Sequence, residues 1–255
     1  MILDSFRLDG KVAIITGART GIGQGIALAM AEAGADVVGV GNKPMPEIAE
    51  QIRALGRGFT EISAYLTRPC PELYDRVISG TLNAYGRVDI LVNNAGIIRR
   101  CDAIDFNETD WDDVMNINLK TLFFLSQAAA RQMVKQQSGG KIVNIASMLS
   151  YQGGIRVPSY TASKSGVMGL TRLLANEWAK YGINVNAIAP GYIDTNNTEA
   201  LKKDPVRSAE ILGRIPAGRW GTPRDMAGTA VFLASEASSY MQGFTVALDG
   251  GWLAR

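Results

Sequence analysis

A phenol and an ammonium group stand four residues apart at Tyr160 and Lys164. On an α-helix this spacing places two side chains on one face, where they can act together. A free phenol has a pKa of about 10 and is a poor base at neutral pH, but a nearby positive charge favours the phenolate. Such a pair can take a proton from an alcohol and return it to a ketone. Because the spacing is common by chance, its interpretation depends on the residues that accompany it.

Two other polar residues suit the same proton chemistry. Ser147 follows a predicted strand and precedes Tyr160 by thirteen residues, so its hydroxyl can hold a substrate oxygen beside the phenol. Asn118 lies in a predicted helix, where an amide lowers helix propensity slightly, and it can hold a water that links Lys164 to solvent. The chain has no histidine, which excludes Ser-His-Asp hydrolysis, histidine-ligated zinc and a histidine base. The cysteines and carboxylates show no metal-ligand spacing, so no metal site is predicted.

A glycine-rich turn follows the first predicted strand and opens a helix. Gly17 permits a tight turn, Gly21 lets the backbone approach a pyrophosphate, and Gly23 lets the helix pack close to the strand. Free N–H groups at the start of the helix favour phosphate groups. The glycine spacing is a variant of the common fingerprint, but at the first strand-to-helix turn of an α/β chain it predicts dinucleotide binding.

A second turn, which runs from Asn93 through Ala95 to Gly96, closes the fourth predicted strand. Its small residues leave room for a cofactor, and its asparagines can tie neighbouring strand ends together. An ordinary strand-end turn explains this segment equally well when it is taken alone.

Short β-rich runs alternate with longer helical patterns along the whole chain, which predicts an α/β fold. Several of the runs are continuous in Val, Ile and Leu, as expected of parallel strands that helices cover on both faces. The predicted class is a Rossmann-type, doubly wound parallel sheet in a single domain over 1–255. The predicted strands are Val12–Thr16, Asp36–Val40, Gly58–Ala64, Asp89–Asn93, Lys141–Ala146, Asn184–Ala189 and Thr245–Leu248.

Helical patterns fill the gaps between these strands. They include Gly21–Ala33, Glu47–Leu55, Trp111–Gln136, Ser159–Lys180 and Pro223–Ala234. The longest stretch without a clear pattern runs from Gly191 to Arg219. It follows a strand end, where α/β folds bind ligands, so we predict a substrate lid there.

Composition narrows the class of protein further. A net charge of +2 without charge runs does not indicate a nucleic-acid partner. No apolar run is long enough for a membrane span, and charges interrupt the N-terminus, so no membrane association and a cytoplasmic location are predicted. Cys70 and Cys101 suit a reducing compartment and are expected to be free thiols.

Together these residues resemble the short-chain dehydrogenase/reductase family over essentially the whole chain. The resemblance rests on the Gly17–Gly23 turn, the Asn93–Gly96 turn, the four polar residues above and Pro190-Gly191. It implies a seven-stranded sheet, hydride transfer without a metal, and a homotetramer. It assigns Tyr160 as the acid/base, Lys164 to the nicotinamide ribose, Ser147 to the substrate carbonyl and Asn118 to a proton-relay water. The cofactor-binding residues predicted on this basis are Gly17, Arg19, Gly21, Ile22, Gly23, Asn42, Leu66, Asn93, Ala95, Gly96, Tyr160, Lys164, Pro190, Gly191 and Ile193.

Within the family, several segments resemble the members that act on 2-deoxy-D-gluconate or 2-dehydro-3-deoxy-D-gluconate. They are 96–100, 147–159, 191–198, 214–221 and 249–255. An acid substrate agrees with the arginines near the predicted cleft, because a guanidinium can bind a carboxylate through two parallel hydrogen bonds. Arg99 and Arg156 are the predicted substrate-binding arginines, with Arg100 as a third candidate, although solvated surface arginines are an equally simple explanation.

The C-terminal residues form a further candidate for substrate binding. Trp252 follows two glycines just after the last predicted strand and is expected to be exposed. We predict that it packs in the active site of a neighbouring subunit, since a large apolar side chain at a chain end usually needs a partner. A frayed terminus is the alternative.

The adenosine end departs from the family pattern in two places. Gly41 occupies the position where members selective for NAD carry an acid, and Asn42 and Thr20 stand where members selective for NADP carry a basic residue. Tyr65 replaces an aspartate that receives the adenine amino group in relatives. The resembling members favour NAD, whereas the residues permit a 2′-phosphate, so NAD is predicted with NADP possible.

Two alternatives remain open at this point. A 3-ketoacyl-carrier-protein reductase has the same fold and chemistry, and the arginines could dock its acidic carrier. A dinucleotide sensor without activity agrees with the altered adenosine positions but gives no reason for the four polar residues. Substrate profiling and a hydride-transfer assay separate these possibilities.

Overall fold

Seven parallel strands form the centre of the protein in the computed structural model, which describes all 255 residues. Their order in the sheet is β3-β2-β1-β4-β5-β6-β7, so the seven-stranded parallel sheet is confirmed. Each predicted strand is present with its ends within one residue of the prediction. The strands are β1 (Val12–Thr16), β2 (Asp36–Gly41), β3 (Phe59–Ser63), β4 (Ile90–Asn93), β5 (Gly140–Ile145), β6 (Ile183–Pro190) and β7 (Thr245–Leu248).

Burial explains why the inner strands are continuous apolar runs rather than alternating ones. Every residue of β1, β4 and β6 is buried, because helices pack on both faces of the sheet. One apolar cluster of 25 buried residues fills one face, and a second of 21 fills the other. None of the helices is both long and apolar enough to span a bilayer.

Nine α-helices connect the strands. Three predicted helices are present with small shifts at their ends, and the predicted helix Pro223–Ala234 begins with a 3-10 turn over Pro223–Met226 before α9. Pro71–Tyr85 and the two helices after β6 are additions to the predicted set. They are α1 (Gly21–Glu32), α2 (Pro46–Ala54), α3 (Pro71–Tyr85), α4 (Glu108–Met115), α5 (Leu122–Gln136), α6 (Pro158–Trp178), α7 (Glu199–Lys203), α8 (Pro205–Arg214) and α9 (Ala227–Ala234).

The prediction of one helix over Trp111–Gln136 is wrong in its middle. The segment Asn116–Thr121 forms a π-helical turn between α4 and α5. Such wide turns inside helices are rare and occur often at functional sites. This turn carries Asn118, so the amide does not lie in a regular α-helix as its position in the sequence suggested.

The prediction of an irregular segment over 191–219 is also wrong in part. Two helices, α7 and α8, occupy its centre. Asp204 caps α8, since its carboxylate accepts hydrogen bonds from the N–H groups of Val206 and Arg207 at 3.1 and 3.0 Å. Pro205 at the first helical position fits the same start signal.

The strand order reverses between β1 and β4, and this point fixes where a ligand can bind. Open α/β sheets bind ligands outside the carboxyl ends of the strands at such a reversal. The two glycine- and asparagine-containing turns that follow β1 and β4 meet there.

Candidate active site

A cavity of about 400 Å³ opens at the carboxyl edge of the sheet, where the strand order reverses. Its lining runs from the turn after β1 to Ser147, which follows β5, and to Tyr160 and Lys164 on α6. Its lining contains no aspartate or glutamate, and Lys164 is its only charged residue. A cavity of this composition suits an anionic ligand. Of the predicted site residues, it is lined by Gly17, Gly21, Ile22, Gly23, Asn42, Leu66, Ala95, Gly96, Ser147, Tyr160, Lys164, Pro190, Gly191 and Ile193.

The turn after β1 has the backbone geometry that its glycines require. Gly17 and Gly21 have positive φ angles of 69° and 60°. A side chain at Gly23 would place its first carbon 2.2 Å from the carbonyl oxygen of Gly17, which no packing could tolerate. The start of α1 therefore lies against this turn, with its first N–H groups at the cavity.

The turn after β4 is tied to the end of β1 by hydrogen bonds. The Nδ2 atom of Asn94 donates to the carbonyl oxygens of Thr16 at 2.9 Å and Gly17 at 3.3 Å. The Thr16 hydroxyl oxygen accepts from the N–H groups of Asn94 and Ala95 at 3.0 and 2.9 Å. These bonds hold the two turns together as one wall of the cavity.

Asn93 and Arg19 do not line the cavity, although both were predicted to bind the cofactor. Asn93 is buried and donates to the Ser126 hydroxyl at 2.8 Å and to Asn144 Oδ1 at 2.9 Å, so it links β4 to its neighbours. Arg19 is exposed in the first turn.

Tyr160 and Lys164 lie on one face of α6, as their spacing predicted. The Lys164 Nζ atom is 5.7 Å from the centre of the Tyr160 ring. Burial lowers the pKa of Lys164 to about 8, and Nζ donates to the carbonyl oxygen of Ile145 at 2.5 Å. The ammonium form is therefore the main form at neutral pH, but a small rise in pH removes its charge.

The phenol of Tyr160 is also set in a poorly solvated environment. Burial raises its pKa, and the nearby Ser147 hydroxyl and the charge of Arg100 partly offset this rise. In the absence of a ligand the phenol is therefore protonated at neutral pH. A group in this state can donate a proton to a developing alkoxide, and a positive charge nearby is needed before it can accept one.

Ser147 follows β5 directly and starts a short 3-10 turn. Its Oγ atom accepts a hydrogen bond from the N–H of Leu149 at 3.1 Å, so its own O–H remains available to donate. The side chain lies on the cavity wall with Tyr160. A carbonyl oxygen between them can accept from both hydroxyls.

Asn118 lies behind the cavity wall rather than on it. Its Oδ1 atom accepts from the N–H of Ile97 at 2.9 Å, and its Nδ2 atom donates to the Ile97 carbonyl at 3.0 Å and the Ser163 hydroxyl at 3.1 Å. A side chain at Gly96 would come within 3.0 Å of Oδ1 and 3.8 Å of Lys164 Nζ. Asn118 thus braces the turn after β4 against α6, next to the lysine.

The adenosine end of the cavity is lined by Gly41, Asn42, Tyr65 and Leu66. No acid stands at Gly41, so no negative charge there opposes a 2′-phosphate. The Tyr65 side chain is 58% exposed, and the Arg68 guanidinium lies 6.0 Å from the centre of its ring. The lining at this end is polar and aromatic, and the cationic Arg68 stands next to Tyr65 outside the lining.

Two of the arginines predicted to bind substrate are already paired with carboxylates. Arg99 donates to Asp110 at 3.0 Å and Asp113 at 3.2 Å. Arg156 lies 3.0 Å from Asp102. Neither lines the cavity. The prediction chose Arg99 and Arg156 without seeing these pairs, because the aspartates that bind them come from other segments of the chain.

We predicted that Trp252 is exposed and reaches a neighbouring subunit, and the predicted exposure is wrong. Its side chain is only 5% exposed and packs within its own chain against Tyr192, with ring centres 4.9 Å apart. The Arg214 guanidinium of α8 covers the indole at 4.0 Å. The tail therefore packs beneath the 191–219 segment, and Trp252 does not line the cavity.

No three His, Cys, Asp or Glu side chains converge to hold a metal ion. Cys70 and Cys101 are free thiols, as expected.

Comparison with known proteins shows which family has this arrangement. A family model described as enoyl-(acyl carrier protein) reductase matches residues 17–253. The chain belongs to the short-chain dehydrogenase/reductase family. It is 62% identical over 257 residues to a 2-dehydro-3-deoxy-D-gluconate 5-dehydrogenase from Escherichia coli K12, and all of both chains is covered.

Solved structures of the same family superpose closely on this fold. A protein from Agrobacterium tumefaciens, described as a 2-deoxy-D-gluconate 3-dehydrogenase with bound NADP, has a TM-score of 0.92 and 53% identity over 98% of this chain and 99% of its own. A gluconate 5-dehydrogenase from Burkholderia cenocepacia, in complex with NADP and tartrate, has a TM-score of 0.94 and 38% identity over all of both chains. Both share the overall fold described here.

Proposed function

We propose that this chain transfers a hydride between NAD(P) and a hydroxyl or keto carbon of a sugar acid, with 2-dehydro-3-deoxy-D-gluconate as the substrate to test first. The observation that carries the proposal is a single cavity without acidic residues that joins the glycine turn to Ser147 and Tyr160. The full-length likeness to a 2-dehydro-3-deoxy-D-gluconate 5-dehydrogenase supports the substrate.

The cavity fits a nicotinamide dinucleotide. Gly21, Ile22 and Gly23 at the start of α1 line it, so the free N–H groups of this helix start can bind a diphosphate. Gly17, Ile22, Gly23, Ala95, Pro190, Gly191 and Ile193 continue this surface, and Asn42 and Leu66 line the adenosine end. Because nothing at Gly41 repels a 2′-phosphate, we propose that the chain accepts NADP as well as NAD. A bound nicotinamide ring would supply or take the hydride.

The residues of the chain carry the proton chemistry. Ser147 donates a hydrogen bond to the substrate oxygen and holds it beside Tyr160. In reduction Tyr160 donates its proton to that oxygen, and in oxidation it takes the alcohol proton back. Lys164 favours the phenolate through its charge and can bind the nicotinamide ribose. Asn118 positions Lys164 by holding the turn after β4 against α6.

The segment 191–219 acts as a substrate lid in this proposal, within one catalytic domain over 1–255. Near its start, Thr195 to Thr198 line the cavity together with Gly191 and Ile193. A methyl group at Gly21 would meet the Thr195 side chain at 3.2 Å, so the segment already packs over the glycine turn.

A homotetramer is the proposed assembly, as the family resemblance implied. Several large apolar side chains are exposed, as is common where subunits meet. They include Leu173 on α6, Tyr240 and Phe244 beside β7, Trp111 on α4 and Phe124 on α5. Light scattering coupled to size exclusion measures the assembly directly.

The deciding experiment is a substrate panel with both cofactors. Uronate-derived keto acids, among them 2-dehydro-3-deoxy-D-gluconate, are mixed with enzyme and NADH or NADPH, and absorbance of the reduced nicotinamide is followed. We expect turnover of a sugar acid and little turnover of acetoacetyl-coenzyme A. Preference for the acyl thioester would point to a carrier-protein reductase instead. A chain that binds dinucleotide but reduces neither would act only as a sensor.

A further inference from the structure

A second cavity, of about 430 Å³, lies at the opposite edge of the sheet from the candidate active site. Asp89, Lys141 and Asn184 line it from the amino ends of β4, β5 and β6, and Lys11 lines it directly before β1. Its volume falls in the range of small-molecule sites. Because β5 runs from this cavity to the catalytic one, a molecule bound here does not reach the reacting groups at the other end of the strand.

Lys141 is a buried cation in the wall of this second cavity. Its exposure is only 8%, although lysine is rarely buried without an acidic partner. The Nζ atom donates to Asn184 Oδ1 at 2.9 Å and weakly to the Ser239 hydroxyl at 3.4 Å. An ammonium has three N–H donors, so one remains unused. Neither Lys141 nor Lys11 forms an ion pair with a carboxylate of the chain.

The charge of Lys141 costs stability at this position. Burial lowers the pKa of its ammonium, the negative charge of Glu236 opposes this effect, and the positive charge of Lys11 adds to it. The five other residues of β5 carry no charge, and an apolar side chain at its second position would avoid the cost. A lysine that is desolvated in the wall of a cavity is a typical feature of a functional site.

The two carboxylates that line the cavity do not balance its two lysines. Asp89 is already neutralised, because its carboxylate accepts hydrogen bonds from Arg87 at 2.7 and 2.6 Å and from the N–H of Val12 at 2.9 Å. Glu236 is therefore the one remaining negative charge, and it faces both Lys11 and Lys141. The cavity is left with one positive charge in excess.

We propose that this cavity binds a small hydroxycarboxylate, whose carboxylate lies on Lys141 and Lys11. A single negative charge neutralises the excess, whereas a doubly charged phosphate would leave the cavity negative beside Glu236. Uncharged polar side chains make up much of the remaining lining and suit the hydroxyl groups of such a ligand. They are Gln137, Ser138, Tyr181, Ser239 and Gln242. The inference concerns a site separate from the catalytic cavity and does not depend on the proposed function.

A carboxylate supplies what the present partners of Lys141 lack. Asn184 and Ser239 are neutral acceptors, and hydrogen bonds from an ammonium to a carboxylate are shorter and stronger than those to neutral groups. The negative charge also favours the ammonium form of a lysine whose pKa burial has lowered. The ligand thus offsets the cost of the buried charge.

The test counts bound ligand in the presence of NADPH, where D-gluconate cannot be oxidised. Radiolabelled D-gluconate is equilibrated by dialysis with wild type, Lys141→Met and Lys180→Met. We expect the wild type to bind one more gluconate per chain than Lys141→Met. The difference between the two proteins leaves out any gluconate in the catalytic cavity. Lys180→Met is the matched control, because Lys180 is exposed between Ala179 and Tyr181 but does not line the cavity, and it should bind as the wild type does.

A second variant and a competition experiment test the two parts of the ligand. Lys11 is only partly buried, so Lys11→Met should fold, and the affinity of this site should fall at least about tenfold through the loss of a charge-assisted hydrogen bond. Unlabelled D-glucose should not displace the gluconate, since it has the hydroxyls without the charge. Tighter binding of inorganic phosphate than of gluconate would overturn the assignment of the ligand as a carboxylate.

The remaining outcomes separate this inference from the proposed function. Equal binding by wild type, Lys141→Met and Lys11→Met would show that the cavity holds no carboxylate. An equal loss in Lys180→Met would attribute the binding to surface charge and overturn the inference as well. The kcat and KM of Lys141→Met for the sugar acid should stay near those of the wild type, because the catalytic cavity lies at the other end of β5. A wild type that turns over no sugar acid would contradict the proposed function and leave the count of bound gluconate as the measure of this site.

Discussion

Lys164 donates from Nζ to the carbonyl oxygen of Ile145 at 2.5 Å, at the last residue of β5. The bond holds a buried ammonium beside the phenol of Tyr160, in a place where few water molecules can solvate it. Burial lowers the pKa of Lys164 to about 8 from an ordinary value of 10.5. The protein thus keeps a charge that reduces its stability at the position where the proposed chemistry needs one.

Replacement of Lys164 by methionine should therefore stabilise the fold while it removes activity. A pKa lowered from 10.5 to about 8 corresponds to about 3 kcal/mol against the charged form. Loss of the hydrogen bond to the Ile145 carbonyl costs about 1–2 kcal/mol and offsets part of the gain from removing the charge. The free energy of unfolding should therefore rise by about 1–2 kcal/mol at pH 7. Urea unfolding measures the gain, and turnover should fall at least about 100-fold.

The pH dependence of this gain checks its cause. The cost of the charged lysine is complete below pH 8 and disappears as pH rises from about 8 toward 10.5, because only the unfolded chain still binds the proton in that window. The advantage of Lys164→Met over wild type should shrink accordingly. Lys135→Met, at an exposed position, is the control and should show no such change. A constant advantage across the window would attribute the gain to packing.

Replacement of Tyr160 by phenylalanine should lower kcat by about 10²- to 10⁴-fold, the usual contribution of general acid/base catalysis. Because burial raises the pKa of the phenol, wild-type alcohol oxidation should be slow at neutral pH and should become faster as pH rises above neutrality. The variant should lose this rise, and its affinity for NADPH, measured by fluorescence titration, should stay near that of the wild type. Near-normal turnover in the variant would show that another group moves the proton.

Much of the fold could be predicted because it depends on local patterns. Continuous apolar runs predicted the inner strands, since strands buried on both faces show no alternation, whereas β3 and β7 at the edges are only partly buried. The helices α3 and α8 also had usable signals that were passed over. Each begins with proline, and Gly86 at a φ angle of 72° ends α3 while Asp204 caps α8.

The parts that could not be predicted depend on contacts between distant segments. The π-turn at Asn116–Thr121 has no pattern of its own that distinguishes it from a helix. The pairing of Arg99 with Asp110 and Asp113, and the lack of such a partner at Arg100, follow from how α4 packs against the turn after β4. For the same reason the burial of Trp252 could not be inferred from a tail that looks free in sequence.

Replacement of Gly41 by aspartate should shift the enzyme toward NAD. A carboxylate at this position repels a 2′-phosphate and can accept hydrogen bonds from the ribose hydroxyls of NAD. The only close neighbour of a side chain there is the terminal methyl of Met45, at 2.9 Å, which can move aside. We expect the dissociation constant for NADP⁺ to rise at least about tenfold and that for NAD⁺ to fall, as measured by calorimetry.

The variant Tyr65→Asp, alone and combined with Gly41→Asp, separates the effect of Tyr65 on dinucleotide binding from the effect of Gly41. It should strengthen binding of both dinucleotides alike, because an aspartate there would face the adenine, which both share. A gain for NADP⁺ in the Gly41→Asp variant would mean that the 2′-phosphate lies elsewhere.

Deletion of Trp252–Arg255 should impair substrate binding from within the same subunit. Trp252 packs in one cluster with Met148, directly after Ser147, and with Ile211 and Ile215 at and beyond the end of α8. Arg255 donates to the Gly213 carbonyl at 2.9 Å near the C-terminus of α8. Without this support the 191–219 segment should loosen, so KM for the sugar acid should rise about tenfold or more while cofactor affinity changes little. Arg255→Ala alone should have a small effect, because its bond is exposed.

A mixed oligomer distinguishes support within a subunit from support by a neighbour. Full-length Tyr160→Phe chains are coexpressed with chains truncated at Gly251, and the hetero-oligomers are purified through two different tags. The burial of Trp252 against Tyr192 indicates that the tail acts in its own subunit. In that case no subunit of the mixed oligomer has both an intact Tyr160 and its own tail, so KM stays high. If a neighbour supplied the tail, truncated subunits would receive it from Tyr160→Phe partners and recover the wild-type KM. That recovery would contradict the packing seen here and would restore the arrangement that the sequence suggested.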